Sequence, residues 1–426
     1  MFKRAISGIP RPQLEYETLP DAITEPIKIS TRQITLLYEG VLDVKRTVLI
    51  QKGDKIKTGQ RLCLYEPDEA YVISSVTGTV TSISPLMGDF GRSYTAIGVD
   101  VAQVEVLDDE FKTCCKDPSL KMAADYLSFT PGRPPLKNLA DPEKAIHTIV
   151  ISGCDTDLLI TANQYAVRHK IDAVKKGIEL LKKVTDIKNY ILAVPDTLMQ
   201  GYGDMGAQVK GVRSGYPAAH PVFIVKAIFG QVVPAGKRCE DLGVSFFSAE
   251  AVASIGTAFY EGRIPVTKML TLIKKDGSKR LAIARIGTPI GAIIEKFHAP
   301  LHEKDRIIMG GPLTGAAVYS VNHPIGPDTH TIMLQDKDQI PLISEYPCIN
   351  CGDCIRACPA KIQVSMLVRY LEAGHYQQAA DQYDLYSCIE CGLCSYVCIA
   401  CIPIFQYIRL AKYELGRAAI GEAGNV

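Results

Sequence analysis

The sequence has no apolar run long enough to cross a bilayer. A spanning helix needs about 18 consecutive apolar residues, and the stretch around Ala282–Ile294 is short and broken by Arg285 and several glycines. An excess of either charge is also missing. Against 47 Lys and Arg stand 46 Asp and Glu, a formal net charge of +1, which gives no general footprint for nucleic acid or an anionic membrane surface. Binding to nucleic acid is therefore not expected. Behind Met1-Phe2-Lys3-Arg4 there is no apolar segment, because Gly8, Pro10 and Pro12 follow at once; a secretory signal is not expected. None of the eight histidines stands in a triad-like or metal-like spacing, so no catalytic acid, base or nucleophile is nominated.

What is present points to several domains. A chain of 426 residues exceeds what one hydrophobic core usually holds, and its 47% apolar and 22% charged residues are ordinary for a globular protein. After an N-terminal segment (1–26), residues 27–106 alternate β-branched with polar residues and carry turn signals at Lys52-Gly53-Asp54 and Thr58-Gly59-Gln60, which predicts a small β domain. Its order Gly-Asp-x-x-x-x-Gly-Gln-x-Leu, then Ser-x-x-x-Gly-x-Val, resembles the barrel-sandwich domains of biotinyl and lipoyl carriers. A carrier has a lysine at the hairpin tip; here the tip reads Ser74-Ser75-Val76-Thr77, so a structural role is expected.

Over 113–262, apolar strand-like runs (Thr148–Ser152, Tyr190–Val194) alternate with helical patterns (Ile171–Val184, Pro221–Phe229), the signature of an α/β layer. Gly201, Gly203, Gly206 and Gly211 read as a flexible surface loop. Short strands return in 263–321 (Met269–Lys274, Leu281–Arg285), with a glycine-rich Ile286–Ile293 and then Gly310-Gly311-Pro312; a second small domain of mixed strands and a helix is expected. Residues 322–346 are polar and proline-bearing and read as a linker. In 347–426 helical spacing recurs over Val364–Ala380 and Ile404–Leu415.

Eight of the 14 cysteines fall in two runs within that last segment. The first is Cys348-x-x-Cys351-x-x-Cys354-x-x-x-Cys358-Pro359; the second is Cys388-x-x-Cys391-x-x-Cys394-x-x-x-Cys398, with Ile399 in place of proline. This is ferredoxin spacing, and thiolates are the soft ligands that iron–sulfur clusters select. Such a pattern belongs in a reducing compartment. In two-cluster ferredoxins the fourth cysteine of each run ligates the other cluster. Cluster one is accordingly assigned to Cys348, Cys351, Cys354 and Cys398, and cluster two to Cys388, Cys391, Cys394 and Cys358. The alternative, two structural Cys₄ zinc sites, usually pairs Cys-x-x-Cys knuckles across a longer gap. Cys401 is expected to be a free buried thiol, with substitution for Cys398 as the alternative. Cys63, Cys114, Cys115, Cys154 and Cys239 are scattered and read as core residues.

Four segments together resemble the RnfC family, a component of Rnf electron-transport complexes, over nearly the full length. They are Lys52–Val80, Ile149-Val150-Ile151-Ser152-Gly153-Cys154, Gly310-Gly311-Pro312-Leu313-Thr314-Gly315, and Ile389-Glu390-Cys391-Gly392-Leu393-Cys394-Ser395-Tyr396-Val397-Cys398. The resemblance implies a multidomain α/β and β fold: a barrel-sandwich hybrid, an α/β domain like the 51-kDa flavin subunit of complex I, a soluble-ligand-binding β-grasp (SLBB) domain and a C-terminal α-helical ferredoxin domain. It implies two 4Fe–4S clusters and a peripheral subunit on the cytoplasmic side of the membrane. The implied partners are membrane-embedded subunits and a redox donor or acceptor such as ferredoxin or a cytochrome, within a complex that translocates sodium or protons.

Members that react with NAD carry Gly-x-Gly-Gly-Ala-Gly-Phe-Pro-Thr ahead of the first α/β strand. Here that stretch reads Leu127-Ser128-Phe129-Thr130-Pro131-Gly132-Arg133-Pro134-Pro135, and one glycine among three prolines cannot bring backbone amides to a phosphate. The family's Asn-x-x-Glu-Cys-Glu-Pro is likewise replaced, by Ser152-Gly153-Cys154-Asp155-Thr156-Asp157. The FMN and NAD site is expected to be degenerate or absent, leaving an electron relay. The rival readings are an FMN-containing NADH dehydrogenase subunit and a corrin-reducing microcompartment subunit.

Overall fold

The structure is a computed structural model that describes residues 12–19, 25–43, 45–66, 70–88, 93–344 and 346–423. Most of the N-terminal segment 1–26 lies outside them. Strand β1 (Ile27–Lys28) leaves the β domain expected around it and pairs in parallel with a distant strand at Ala282–Ile283. The β domain itself is built from β2 (Gln33–Tyr38), β3 (Lys55–Ile56), β4 (Arg61–Leu62), β5 (Val72–Ile73), β6 (Gly78–Met87) and β7 (Ser93–Val101). They form a sheet in the order β2-β7-β6-β3 and a separate β4-β5 pair. Alternation puts Ile34, Leu36, Tyr38, Ile97 and Val99 inside against Leu62 and Leu64.

The tip that a carrier would use is docked. Ser74 and Ser75 are buried; Ser75 Oγ donates to the Ile286 carbonyl at 2.5 Å, and Arg285 donates to the Ser75 carbonyl at 2.6 Å. A tip held in this way cannot swing between sites.

Helices α1 (Glu110–Cys114), α2 (Leu120–Leu127) and α3 (Leu136–Ala140) lead into a parallel sheet. It comprises β8 (Thr148–Ser152), then α4 (Ala162–His169) and α5 (Ile171–Val184), β9 (Asn189–Pro195), β10 (Gln208–Val212), α6 (Pro221–Phe229), β11 (Val244–Ser248) and α7 (Ala249–Glu261). Strand order is β10-β9-β8-β11. Ile149, Ile151, Leu192 and Phe247 face one core with α5 and α7, while Val150, Ile191, Val212 and Val244 face another with α6. Both faces being covered, the strands are continuous apolar runs. Gly211 lies within β10 rather than in the expected loop.

A six-stranded mixed sheet follows, from β12 (Thr267–Ile273), β13 (Lys279–Arg285), α8 (Ile290–Lys296), β14 (Arg306–Met309), β15 (Ala316–Val318) and β16 (Thr331–Gln335), in the order β1-β13-β12-β16-β14-β15. Its core is Leu270, Leu272, Ala282, Ile293, Ile332 and Leu334. Segment 322–346, read as a linker, therefore contains an interior strand. Thr331–Met333 pairs with β12 and Ile332–Gln335 with β14.

The last segment is helical: α9 (Asp353–Ala357), α10 (Val364–Glu372), α11 (Tyr376–Gln382), α12 (Leu393–Tyr396) and α13 (Ile404–Ala423). The single helix expected over Val364–Ala380 is divided at Gly374, whose φ of 73° ends α10 in a left-handed turn. Leu367, Val368, Leu371, Ile404, Ile408 and Ala411 close its core around Cys354, Cys358 and Cys394. Among the described residues no helix is long and apolar enough to cross a membrane.

Candidate iron–sulfur centre

Cys348 and Cys351 lie on the loop entering α9 and Cys354 in its first turn, with Cys358 just after it; Cys388 and Cys391 lie on the loop entering α12 and Cys394 in its first turn, with Cys398 close behind. The two segments repeat at an interval of 40 residues, from Cys348 to Cys388 and onward through Cys358 and Cys398. The backbone repeats with them. Positive φ occurs at Asn350 (57°) and Glu390 (56°), at Gly352 (76°) and Gly392 (74°), and at Lys361 (58°) and Cys401 (52°). Left-handed residues alternating with right-handed ones turn successive N–H groups to one side. Glycine adopts that conformation freely, whereas Glu, Lys and Cys each lose roughly 1–2 kcal/mol. Strain kept at matching places in both halves marks a functional constraint. The repeat of positions was legible in the sequence as an offset, although the cysteine spacing alone did not draw attention to it.

Burial pushes the Cys354 thiol up to about 11, and the neighbouring charges that add to this are Cys348, Cys351 and Cys398. Burial likewise raises Cys391 to about 11, with Cys388 and Cys358 adding. Cys394 is raised by burial and then by Cys388, Cys391 and Cys358. The eight thiols thus sort by proximity into a first quartet of Cys348, Cys351, Cys354 and Cys398 and a second of Cys358, Cys388, Cys391 and Cys394. In each, one member comes from the opposite run. All four of the second quartet line one hollow walled by Ile362, Leu367, Phe405 and Ile408. Among the described residues no three His, Cys, Asp or Glu side chains close on a point as they would around one metal ion. Soft ligands, an apolar wall and the Glu390 N–H donated to Cys388 Sγ at 3.4 Å suit a polyatomic iron–sulfur cluster.

The two quartets differ in their surroundings. The second faces the rest of the protein: Tyr216 Oη donates to the Cys391 carbonyl at 2.7 Å, and Tyr216 packs on Tyr16 with ring centroids 5.4 Å apart. A Cβ at Gly392 would collide with the Leu313 carbonyl. Leu313 belongs to the Gly310–Gly315 turn, which Asp157 holds by accepting from Thr314 N at 2.8 Å and Thr314 Oγ1 at 2.5 Å. His220 at the start of α6 is held neutral, its pKa lowered to about 4 by burial, beside Glu390 and Lys412. By contrast, the first quartet opens outward. Leu342, Ile343, Tyr346, Ile349 and Ile399 around it are exposed, Tyr346 by 79% and Ile349 by 61%. Cys401, expected to be buried, is also exposed: its left-handed turn directs it off the helix that follows, and its backbone carbonyl accepts from Ser344 N at 3.2 Å.

In an open parallel sheet, ligands bind outside the carboxyl ends of the strands where the order reverses. Here that point lies between β8 and β11. It is filled by the chain itself. Glu250, in the first turn of α7, points its carboxylate at Lys268 Nζ and accepts from Met269 N at 3.3 Å; both side chains are buried. Asn163 Oδ1 accepts from Glu250 N, and Ser248 Oγ accepts from Ala251 N at 3.1 Å. The helix N-terminus, otherwise an anion site, is therefore neutralised internally. The segment Pro131-Gly132 lies across it, with the Pro131 carbonyl accepting from Ser254 Oγ at 2.9 Å. Asp155 accepts from Asn163 N at 2.9 Å and is itself buried. Asp155 and Asp157 each secure a turn, although Asp155 also lines a small hollow with Tyr16, Cys154, Gln164 and Asp196. Sequence reasoning missed Tyr216 and Lys412 and the turn-holding role of Asp157, because their partners lie more than twenty residues away along the chain.

A 4Fe–4S dicluster domain matches residues 340–399, and the NqrA second alpha/beta domain matches residues 129–264. The chain is 26% identical to the C subunit of the proton-translocating ferredoxin:NAD(+) oxidoreductase complex of Clostridium ljungdahlii, over 95% of this chain and 90% of that one. It is 27% identical to the C subunit of the ion-translocating oxidoreductase complex of Serratia proteamaculans, covering 97% of this chain but only 60% of that one. The corresponding component of the Na(+)-translocating ferredoxin:NAD(+) oxidoreductase complex of Acetobacterium woodii is 24% identical over 76% of this chain and 78% of its own length. An NAD+-reducing NiFe hydrogenase in the H2-reduced state superposes with a TM-score of 0.46 and 12% identity, over 72% of this chain and 63% of that one; a match this loose carries no argument. Two domain matches and relatives at 24–27% identity over most of its length make the chain similar to the C subunits of Rnf-type ion-translocating oxidoreductase complexes.

Proposed function

We propose that this chain is an electron-transfer subunit that relays single electrons through two 4Fe–4S clusters, without a flavin or nicotinamide site of its own. The observation that carries the reading is the crossed grouping of cysteines. Cluster one would be held by Cys348, Cys351, Cys354 and Cys398, and cluster two by Cys388, Cys391, Cys394 and Cys358. Because each run lends its fourth thiol to the other quartet, the two sites are tied side by side. A bound cluster of this kind supplies reversible one-electron exchange. The chain's own residues hold the thiolates, turn N–H groups towards sulfur and keep water from the second site with Ile362, Leu367 and Ile408.

The filled crevice beneath α7 supports the reading that the α/β domain is a scaffold here. The exposed apolar rim of Leu342, Ile343, Tyr346, Ile349 and Ile399 gives a soluble carrier, such as a ferredoxin or a cytochrome, a face beside cluster one. Membership of a multi-subunit complex, suggested by the names of the relatives, supports membrane-embedded subunits as the other partners and a peripheral place on the cytoplasmic face.

The test is iron, acid-labile sulfide and flavin on protein purified anaerobically. About eight irons and eight sulfides per chain without flavin is the expected result. One FMN per chain would overturn the scaffold reading, and zinc in place of iron would overturn the relay.

A further inference from the structure

The two cysteine loops repeat in backbone but not in charge. Lys412 on α13 donates to the Cys388 carbonyl at 2.7 Å and to Glu390 Oε1 at 2.8 Å. Glu390 in turn gives its backbone N–H to Cys388 Sγ at 3.4 Å. At the matching places of the other half stand a neutral Asn350 and, on α10, an exposed Glu372. The first loop has a cation of its own, Arg356, which donates to the Cys351 carbonyl at 2.9 Å and pairs with Asp353. Its side chain is 44% exposed, however, against 22% for Lys412, and water screens an exposed charge far more than a half-buried one.

We propose that Lys412, positioned by Glu390, makes the two sites electrically unequal and holds the cluster of the second quartet at a higher reduction potential than its neighbour. The inference rests on the relay reading above. Reduction adds one electron, delivered by a single-electron donor protein, and no bond or proton changes hands. The added negative charge is stabilised by the nearby ammonium and by the N–H donated to sulfur, both of which are fixed before the electron arrives. The second quartet is also the one walled in by Tyr216 and Leu313, so an electron entering at the open first quartet would run downhill into the protein.

The deciding experiment is a spectroscopic redox titration of the anaerobically purified full chain and its variants, with each midpoint assigned by its loss in Cys348→Ser or Cys388→Ser. Lys412→Met should lower the second-quartet midpoint by at least a tenfold change in the one-electron equilibrium, about 59 mV. Glu390→Gln should raise the same midpoint, and Lys412→Arg should restore it. The other midpoint stays put throughout. A merely structural clamp would move neither midpoint, or both alike, and either result overturns the proposal. A wild-type chain without two titrating clusters would instead overturn the relay reading beneath it.

Discussion

The phenol of Tyr216 donates a 2.7 Å hydrogen bond to the carbonyl oxygen of Cys391, so the α/β domain grips the backbone of the second cysteine loop. Tyr216→Phe keeps the ring but leaves that carbonyl unpaired, at a cost of about 1 kcal/mol. Amide hydrogen exchange should quicken in Cys388–Cys394 while Cys348–Cys354 is unchanged. Equal protection in wild type and variant would show that the docking does not depend on this bond.

The two loop glycines should respond differently to a methyl group. At Gly352 an added Cβ meets only the Arg356 guanidinium, at 3.2 Å, which can move aside. Left-handed strain of roughly 1–2 kcal/mol is the remaining cost. At Gly392 the same atom runs into the Leu313 backbone, which is pinned by Asp157. Gly392→Ala should therefore lower the melting temperature and iron content well beyond Gly352→Ala.

Crossed ligation makes a sharp statement about pairs of substitutions. Cys348→Ala with Cys398→Ala should leave about half the iron, as either change does alone, because both strike one cluster. Cys388→Ala with Cys398→Ala should remove nearly all of it. If iron counting gave the opposite pattern, each run would be ligating its own cluster. Cys401→Ser, at an exposed position, should change nothing.

Lys268 and Glu250 form a buried pair beneath α7, with His330 Nδ1 3.2 Å from the ammonium. Lys268→Met strands a carboxylate and should destabilise the fold by roughly 3–5 kcal/mol in denaturant unfolding. Adding Glu250→Leu should recover most of that loss. No recovery would mean that the pair contributes through shape rather than charge.

Asp155 gives the pH dependence. Burial raises its pKa from 3.8 to about 6, so the folded state binds a proton that the unfolded state has already released. Stability from this group is full below pH 3.8 and is lost as pH rises towards 6, by roughly 3 kcal/mol in all. Asp155→Asn should flatten that part of the stability curve, and an unchanged slope would assign it to other groups.

The two cysteine runs were legible because ligand spacing is local and needs no knowledge of the rest of the fold. Thr148–Ser152 was legible as a local continuous apolar run, and Ile171–Val184 and Pro221–Phe229 through periodicity within one element, which reports the buried face. Strand β16 was not. Five residues between polar, proline-bearing flanks carry little signal, and its partners lie far back in the chain, at Thr271–Ile273 and Arg306–Met309. The exposure of Cys401 follows from one backbone angle, and the grip of Tyr216 from a domain contact, neither of which composition or spacing encodes.

The repeat at an interval of 40 residues has a consequence for how the protein is made. Under the crossed ligation proposed above, neither half would be a cofactor-holding unit, and a chain cut between Cys358 and Cys388 would leave two incomplete sites rather than one good one. During synthesis, Cys348, Cys351 and Cys354 would emerge first and wait, reduced and open, until Cys398 had left the ribosome. The second site would be completed earlier, at Cys394, so a product truncated before Cys388 would complete neither site.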